Sequence, residues 1–154
     1  MRIRSFVISA TMISALVLAL AVIAIAGDPF VGTWKMNAAK SKFTNTTLKS
    51  YTITQDSQNN IVQDMVDADG KTTHRTWTAK YDGKDCPVTA PDMDAIAMKK
   101  PNANTIKYVA KKDGKEVWSG RVVMSKDGKS YVDAGGGKDE KGQAYSYSIF
   151  MEKQ

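Results

Sequence analysis

The sequence predicts an all-β protein, a closed antiparallel up-and-down β-barrel of about eight to ten strands that follows an N-terminal signal peptide. Three observations lead to this class. An apolar run occupies residues 6–26, Asp-Gly and Lys-Gly dipeptides punctuate the rest of the chain, and the segments between these dipeptides alternate apolar with polar residues. Because no later segment sustains a helical period, a sheet with one apolar face must close on itself or fold into a sandwich.

The N-terminal segment has the three parts of a secretory signal peptide. Arg2 and Arg4 supply the positive charge, and the residues that follow are mostly apolar and uncharged. Ala24-Ile25-Ala26 is a small-x-small cleavage signal, and Gly27-Asp28-Pro29 then breaks any helix. The segment is therefore typical of an exported protein.

These features divide the chain into two parts. We predict a signal peptide over residues 1–26 and a single barrel domain over residues 27–154. The mature protein would be periplasmic or secreted, with no stable membrane insertion after cleavage. The alternative is a membrane-anchored protein, because an uncleaved run of this length can span a bilayer.

Charge and cysteine content exclude several classes of protein. The chain has a formal net charge of +6, but its lysines are scattered among turns rather than gathered on one face, as nucleic-acid binding requires. Cys86 is the only cysteine, so the exported chain has no internal disulfide and must be stabilised by its core. We expect a monomer without a nucleic-acid partner.

Five turn dipeptides divide the domain into segments of strand length. They are Asp69-Gly70, Asp82-Gly83, Asp113-Gly114, Asp127-Gly128 and Lys141-Gly142. The segments predict about nine strands in a meander, with one short helix near residues 38–43. Prolines between residues 86 and 103 predict that this stretch forms only turns and short edges.

The segment "HRTWTAKYDG" places its charged and aromatic residues on one face. Arg75, Trp77, Ala79 and Tyr81 share this face, which we expect to point inward, because the histidine, threonines and lysine of the other face suit water. A buried Arg75 then needs a partner. An acidic or carbonyl group of a ligand would serve, as would Asp64 or Asp67. If the face points outward instead, it forms an exposed aromatic strip for a partner.

The stretches "FVGTWKMNAAKSKF" and "FMEKQ" resemble the first and last strands of lipocalins and fatty-acid-binding proteins. Nearly all of residues 28–154 is also similar to a group of small secreted bacterial lipocalin-like proteins that share a "GTWKxN…KSKF" start and a "KYDGKD" middle. The resemblance implies that Gly32 and Trp34 form the barrel-closing motif. It also implies that a basic side chain packs over the Trp34 ring, with Arg121 as the candidate and Arg75 as the other choice.

The sequence departs from the fatty-acid-binding pattern in two places. Those proteins hold a carboxylate with an Arg-x-Tyr on the last strand, and the matching positions here are Ile149-Phe150-Met151. Their helical lid between the first two strands is absent, since Phe43 runs almost directly into "LKSYTIT". A long-chain carboxylate ligand is therefore not implied.

Other chemistry has little support in the sequence. "GKTT" and "GKS" lack the upstream glycine of a phosphate loop, and "DMVDADG" places unsuitable side chains at the first and last calcium positions. We expect His74 to face solvent, Cys86 to be a buried inert thiol, and Asp92 and Asp94 to be solvated in a proline-rich turn. We predict no metal site, no cofactor and no catalytic residue.

The leading functional prediction is an exported, non-catalytic barrel that binds a small apolar or amphipathic molecule in its interior. The candidate ligand-binding residues are inward aromatic residues and the two arginines of the domain, Arg75, Trp77, Tyr81, Tyr108, Arg121 and Tyr147. One alternative is a structural or protein-interaction barrel with a filled core, and a weaker one is a barrel isomerase. An enclosed void of about 300 Å³ or more would favour binding.

Processing of the signal segment is directly testable. We expect N-terminal sequencing of the exported protein to begin at Gly27, because signal peptidase cleaves after a small-x-small site. A sequence that begins at Met1 would replace this prediction with the uncleaved anchor.

Overall fold

The computed structural model describes residues 27–154, so the predicted signal peptide lies outside the described part of the chain. Residues 27–154 contain one short 3₁₀ helix, Ala38–Lys40, and eleven strands. The strands are β1 (Gly32–Met36), β2 (Lys42–Thr44), β3 (Leu48–Gln55), β4 (Asn60–Asp67), β5 (Thr72–Thr78), β6 (Asp82–Pro87), β7 (Ala95–Asn102), β8 (Thr105–Lys112), β9 (Lys115–Met124), β10 (Ser130–Lys138) and β11 (Ala144–Lys153). Within this range no helix has the length and apolarity needed to cross a membrane.

The strands form one antiparallel sheet that curls into a nearly closed up-and-down barrel. The sheet runs β5-β4-β3-β1-β11-β10-β9-β8-β7-β6, and β2 pairs with the other half of β11. Across the gap between the two ends of this sheet, Thr76 of β5 and Thr89, two residues after β6, exchange two backbone hydrogen bonds of 3.0 and 2.9 Å. The predicted all-β barrel is confirmed.

The first strand is interrupted, which raises the strand number above the predicted eight to ten. After β1, the side chain of Asn37 accepts a 3.2 Å hydrogen bond from the backbone N–H of Lys40 and caps the 3₁₀ turn. The Ser41 hydroxyl accepts a 3.0 Å hydrogen bond from the backbone N–H of Phe150, and the chain then rejoins β11 as β2. One bent strand beside β11 therefore counts as two strands.

Four of the five predicted turn dipeptides are confirmed as connections between neighbouring antiparallel strands. Asp69-Gly70, Asp113-Gly114, Asp127-Gly128 and Lys141-Gly142 each lie between antiparallel neighbours. Asp82-Gly83 instead begins β6, whose neighbour is β7.

The prediction that residues 86–103 form only turns and short edges is wrong. Strand β7 has eight residues and lies between β6 and β8. Pro101 is tolerated in it because the pairing with β8 is interrupted between Lys99 and Asn102, where no ladder N–H is needed.

The strand faces follow the predicted alternation. On β5, Trp77 and the following Ala79 are buried at 7% and 3% exposure, whereas His74 on the opposite face is exposed. On β8 and β11 the buried sets are Ile106, Tyr108 and Ala110, and Ile149 and Met151. The aromatic and aliphatic faces of these strands thus form the interior.

Trp34 closes one end of the barrel at 1% exposure. Its indole N–H donates a 2.9 Å hydrogen bond to the carbonyl of Phe30, and its ring lies 4.8 Å from that of Tyr131. The Lys153 ammonium lies 5.2 Å from the Trp34 ring centroid. Gly32 has φ 132°, and a Cβ there would lie 3.0 Å from Cε of Lys153, so glycine suits both the backbone and the passing lysine stem.

The basic partner of Trp34 is therefore Lys153, and the prediction of Arg121 or Arg75 is wrong. Lys153 is the direct cross-strand neighbour of Trp34. Arg121 lies on the exposed outer face of β9, because its neighbour Val122 occupies the inner face. Arg75 packs instead over the Trp118 ring, 4.7 Å from its centroid.

We expect Trp34→Ala to lower the free energy of unfolding by about 3–5 kcal/mol, because it removes a large buried ring and leaves a cavity. Urea denaturation measures this change, with Lys35→Ala on the exposed face of the same strand as control. A loss below about 1 kcal/mol would contradict a core role for the indole.

Candidate functional site

The barrel encloses a cavity of about 240 Å³. All three tryptophans and five of the six tyrosines line it. Lining residues near Trp34, such as Phe30 and Tyr131, are buried, whereas Trp118 and Tyr145 at the other end are half-buried. The cavity is therefore sealed at the Trp34 end and opens at the opposite end.

Two glycines shape the wall formed by β8–β11. Tyr108 pairs across the strands with Gly120, Gly120 with Gly135, and Gly135 with Tyr147. A Cβ on Gly120 would lie 2.5 Å from the Tyr108 hydroxyl oxygen, and one on Gly135 would lie 2.7 Å from that of Tyr147. The two rings thus lean over the glycines, and their hydroxyl oxygens meet at 2.6 Å.

Asp133 lies one row deeper in the same wall. Its direct neighbours across the strands are Val122 and Ile149, so its surroundings on the inner face are aliphatic. The Tyr108 hydroxyl donates a 2.6 Å hydrogen bond to its Oδ1 atom, and Tyr147 can in turn donate to Tyr108. Burial raises the pKa of Asp133 from its ordinary 3.8 to about 6, opposed by the Tyr108 hydrogen bond and the charge of Arg75.

The opposite wall carries a second polar group. The Gln63 amide N–H donates to the hydroxyl oxygen of Tyr51, and the Gln63 carbonyl oxygen accepts a 3.0 Å hydrogen bond from Nη1 of Arg75. Arg75 Nε and Nη2 donate to the two carboxylate oxygens of Asp92. Such a bidentate, charge-assisted pair is a strong interaction, and it stabilises an Arg75 side chain that is only 12% exposed.

The prediction that Asp64 or Asp67 pairs with Arg75 is wrong, because Asp92 is its partner. Asp64 pairs with the exposed His74 at 2.7 Å, because the β4–β5 hairpin places these two residues opposite each other on the outer face. The carboxylate of Asp67 accepts backbone N–H groups of its own turn. Asp92, which was expected to be solvated, reaches Arg75 from the connection after β6.

The cavity brings together four of the six candidate ligand-binding residues, Arg75, Trp77, Tyr108 and Tyr147. Tyr81 lies instead beside Lys100, whose ammonium is 4.7 Å from its ring, and its hydroxyl donates to the Gln55 carbonyl at 3.1 Å. Arg121 faces solvent on the outside of the barrel. Tyr81 and Arg121 therefore do not line the cavity.

The polar cavity residues that were not predicted from the sequence include Tyr51, Gln63, Asp92 and Asp133. One signal was present: in "SYVDAGGG", Asp133 alternates with Tyr131 and Gly135, so it shares a face with an aromatic residue. Cys86 is a buried free thiol, as predicted. The carboxylate of Asp94 accepts a 2.8 Å hydrogen bond from the backbone N–H of Asp113.

No model of a known protein family matches the chain, and no curated protein matches it significantly. The geometry of the cavity is therefore the basis of the functional proposal.

Asp133→Asn should abolish one part of the pH dependence of stability. Since the pKa of Asp133 is raised to about 6, the folded chain binds more protons than the unfolded chain between about pH 4 and 6. The stability that Asp133 contributes is thus fully present below about pH 4 and is lost as the pH rises through about 6. We expect wild type to lose roughly 3 kcal/mol relative to the variant between about pH 3 and about pH 7.

Urea denaturation of both proteins at several pH values measures this difference. A wild-type to variant difference that stays constant from about pH 4 to 7 would contradict the raised pKa of Asp133.

Proposed function

We propose that this protein is an exported, non-catalytic barrel of the lipocalin-like type that binds a small amphipathic molecule in its interior. The single observation that supports the proposal most is the cavity, which is lined mainly by aromatic and aliphatic side chains with polar groups on two facing walls. Apolar pockets with a few placed polar groups are typical of small-molecule sites.

The size of the cavity limits the ligand. Its volume of about 240 Å³ is just below the range of about 300–1,000 Å³ that is common for ligand pockets. An apolar void of about 150 Å³ accommodates benzene. The cavity therefore suits a single ring or short chain with one polar end, and it is too small for a long-chain fatty acid.

Two alternatives are less well supported. The cavity of about 240 Å³ lies below the void of about 300 Å³ that would by itself favour binding, but a barrel with a filled core would leave no void of this size. A barrel isomerase would need both a proton donor and a base beside the substrate, and of the Tyr108–Asp133 pair only Asp133 is free to act, as a base. Because the Tyr108 proton is directed at Asp133, this tyrosine has no proton free to donate to a substrate carbonyl.

Native mass spectrometry of the protein purified from its own host tests the proposal. We expect a species heavier than the polypeptide that loses a small molecule on denaturation. Val122→Phe should abolish this species, because Val122 lines the cavity and the larger ring fills it.

The matched control is Val123→Phe, since Val123 is the next residue of the same strand and is 39% exposed. This variant should retain the heavier species. If wild type carries no small molecule from its host and also binds none of the small aromatic probes described below, the proposed function is wrong.

A further inference from the structure

We propose that the cavity binds a small amphipathic amine whose ammonium group pairs with Asp133. The inference rests on the proposed function, because it names the class of molecule that the cavity takes. It depends on the charge balance of the cavity, on the orientation of the Asp133 carboxylate and on the residues that surround this carboxylate.

The cavity has one uncompensated negative charge. Only three of its lining residues are charged, namely Arg75, Asp92 and Asp133. Arg75 is neutralised by Asp92 and further held by Gln63, whereas Asp133 has no ion pair with any residue in the range 27–154. A carboxylate ligand would add a second unpaired charge, which is costly in a buried site. A cation would balance the first.

Asp133 presents an acceptor to the cavity. Its side chain is buried, with the residue 7% exposed, and its one hydrogen bond from the described residues reaches Oδ1. No fully enclosed side-chain nitrogen or oxygen in residues 27–154 lacks a partner, so Oδ2 lies at the cavity surface. A carboxylate oxygen in this position requires a hydrogen-bond donor, and an ammonium group offers three.

The surroundings of Asp133 suit a cation with an apolar body. Four tyrosines line the cavity together with Asp133, namely Tyr51, Tyr108, Tyr131 and Tyr147. The Tyr108 hydroxyl lies 2.6 Å from Asp133. Burial raises the pKa of all four tyrosines, and the negative charge of Asp133 raises it further. Aromatic rings within about 6 Å stabilise a ligand cation. The neighbouring Val122 and Ile149 offer apolar contact to the rest of the molecule.

Three probes of similar size and shape but different charge isolate the effect of charge on binding. They are 2-phenylethylamine, 2-phenylethanol and phenylacetate. Isothermal titration calorimetry at about pH 7.5 should give the amine a dissociation constant about tenfold lower than that of the alcohol, with phenylacetate the weakest. The alcohol measures binding that depends only on the apolar cavity.

Asp133→Asn isolates the carboxylate, because the amide keeps the size of the side chain and an acceptor for Tyr108. We expect it to remove the preference for the amine and to change the affinity for the alcohol less than about twofold. Asp64→Asn, which alters an exposed carboxylate on the outer face, is the control and should bind like wild type. Thermal unfolding of each variant verifies that it is folded.

The pH dependence of wild type gives a second test that needs no variant. At about pH 5 the affinity for the amine should fall about tenfold, since Asp133 becomes protonated, while the affinity for the alcohol should not change. The tyrosines that face Asp133 stay neutral over this interval, because burial raises their pKa values, namely those of Tyr51, Tyr108, Tyr131 and Tyr147. The other charged group that acts on Asp133 is Arg75, whose positive charge lowers the pKa of Asp133.

The outcomes distinguish this inference from the proposed function. If the alcohol binds and the amine binds no more tightly, or if Asp133→Asn keeps the preference for the amine, the amine inference is wrong and the proposed function stands. If wild type binds none of the three probes and carries no small molecule from its host, both are wrong.

Discussion

The pairing of β1 with strands on both of its sides is the constraint on which the rest of the barrel depends. Strand β1 is hydrogen-bonded to β3 and to β11, so its five residues join the group β3–β5 to the group β6–β11. Its register places Trp34 opposite Ile53 and Lys153. Since a slip of one residue would exchange the inner and outer faces of a strand, this register determines which side chains of both groups reach the interior. The same strand also supplies the tryptophan that seals one end.

The interior that results separates its charges onto two walls. On one wall the desolvation of Arg75 is offset by a bidentate carboxylate and an amide, as a buried ion requires. On the other wall Asp133 has only the hydrogen bond from Tyr108. The contact between Tyr108 and Tyr147 exists because Gly120 and Gly135 leave room for the two rings. Two residues without side chains thus help to determine the environment of the carboxylate that has no ion pair in the cavity lining.

Much of the fold could be predicted from the sequence, because strands and hairpins follow from local patterns. The inner face of β5 was predictable since Trp77 and Ala79 contrast strongly with the residues that alternate with them. The polar half of the cavity depends on contacts between distant segments, and these were not predictable. Asp92 reaches Arg75 from the connection after β6, whereas Asp64 on the neighbouring strand β4 faces the outside of the barrel. Likewise Lys153 covers Trp34 because the two residues are paired across β1 and β11. Local sequence patterns do not reveal this register, so they did not distinguish Lys153 from Arg121.

The place where the barrel closes has a consequence for self-association. Elsewhere neighbouring strands share ladders of hydrogen bonds, but β5 and the chain after β6 share only the two between Thr76 and Thr89. This is where the wall separates most easily, and separation would expose two strand edges able to pair with another molecule. Arg75 on β5 and Asp92 after β6 join the two sides of this gap from within. We therefore expect the ion pair that balances charge in the cavity also to oppose edge-to-edge polymerisation.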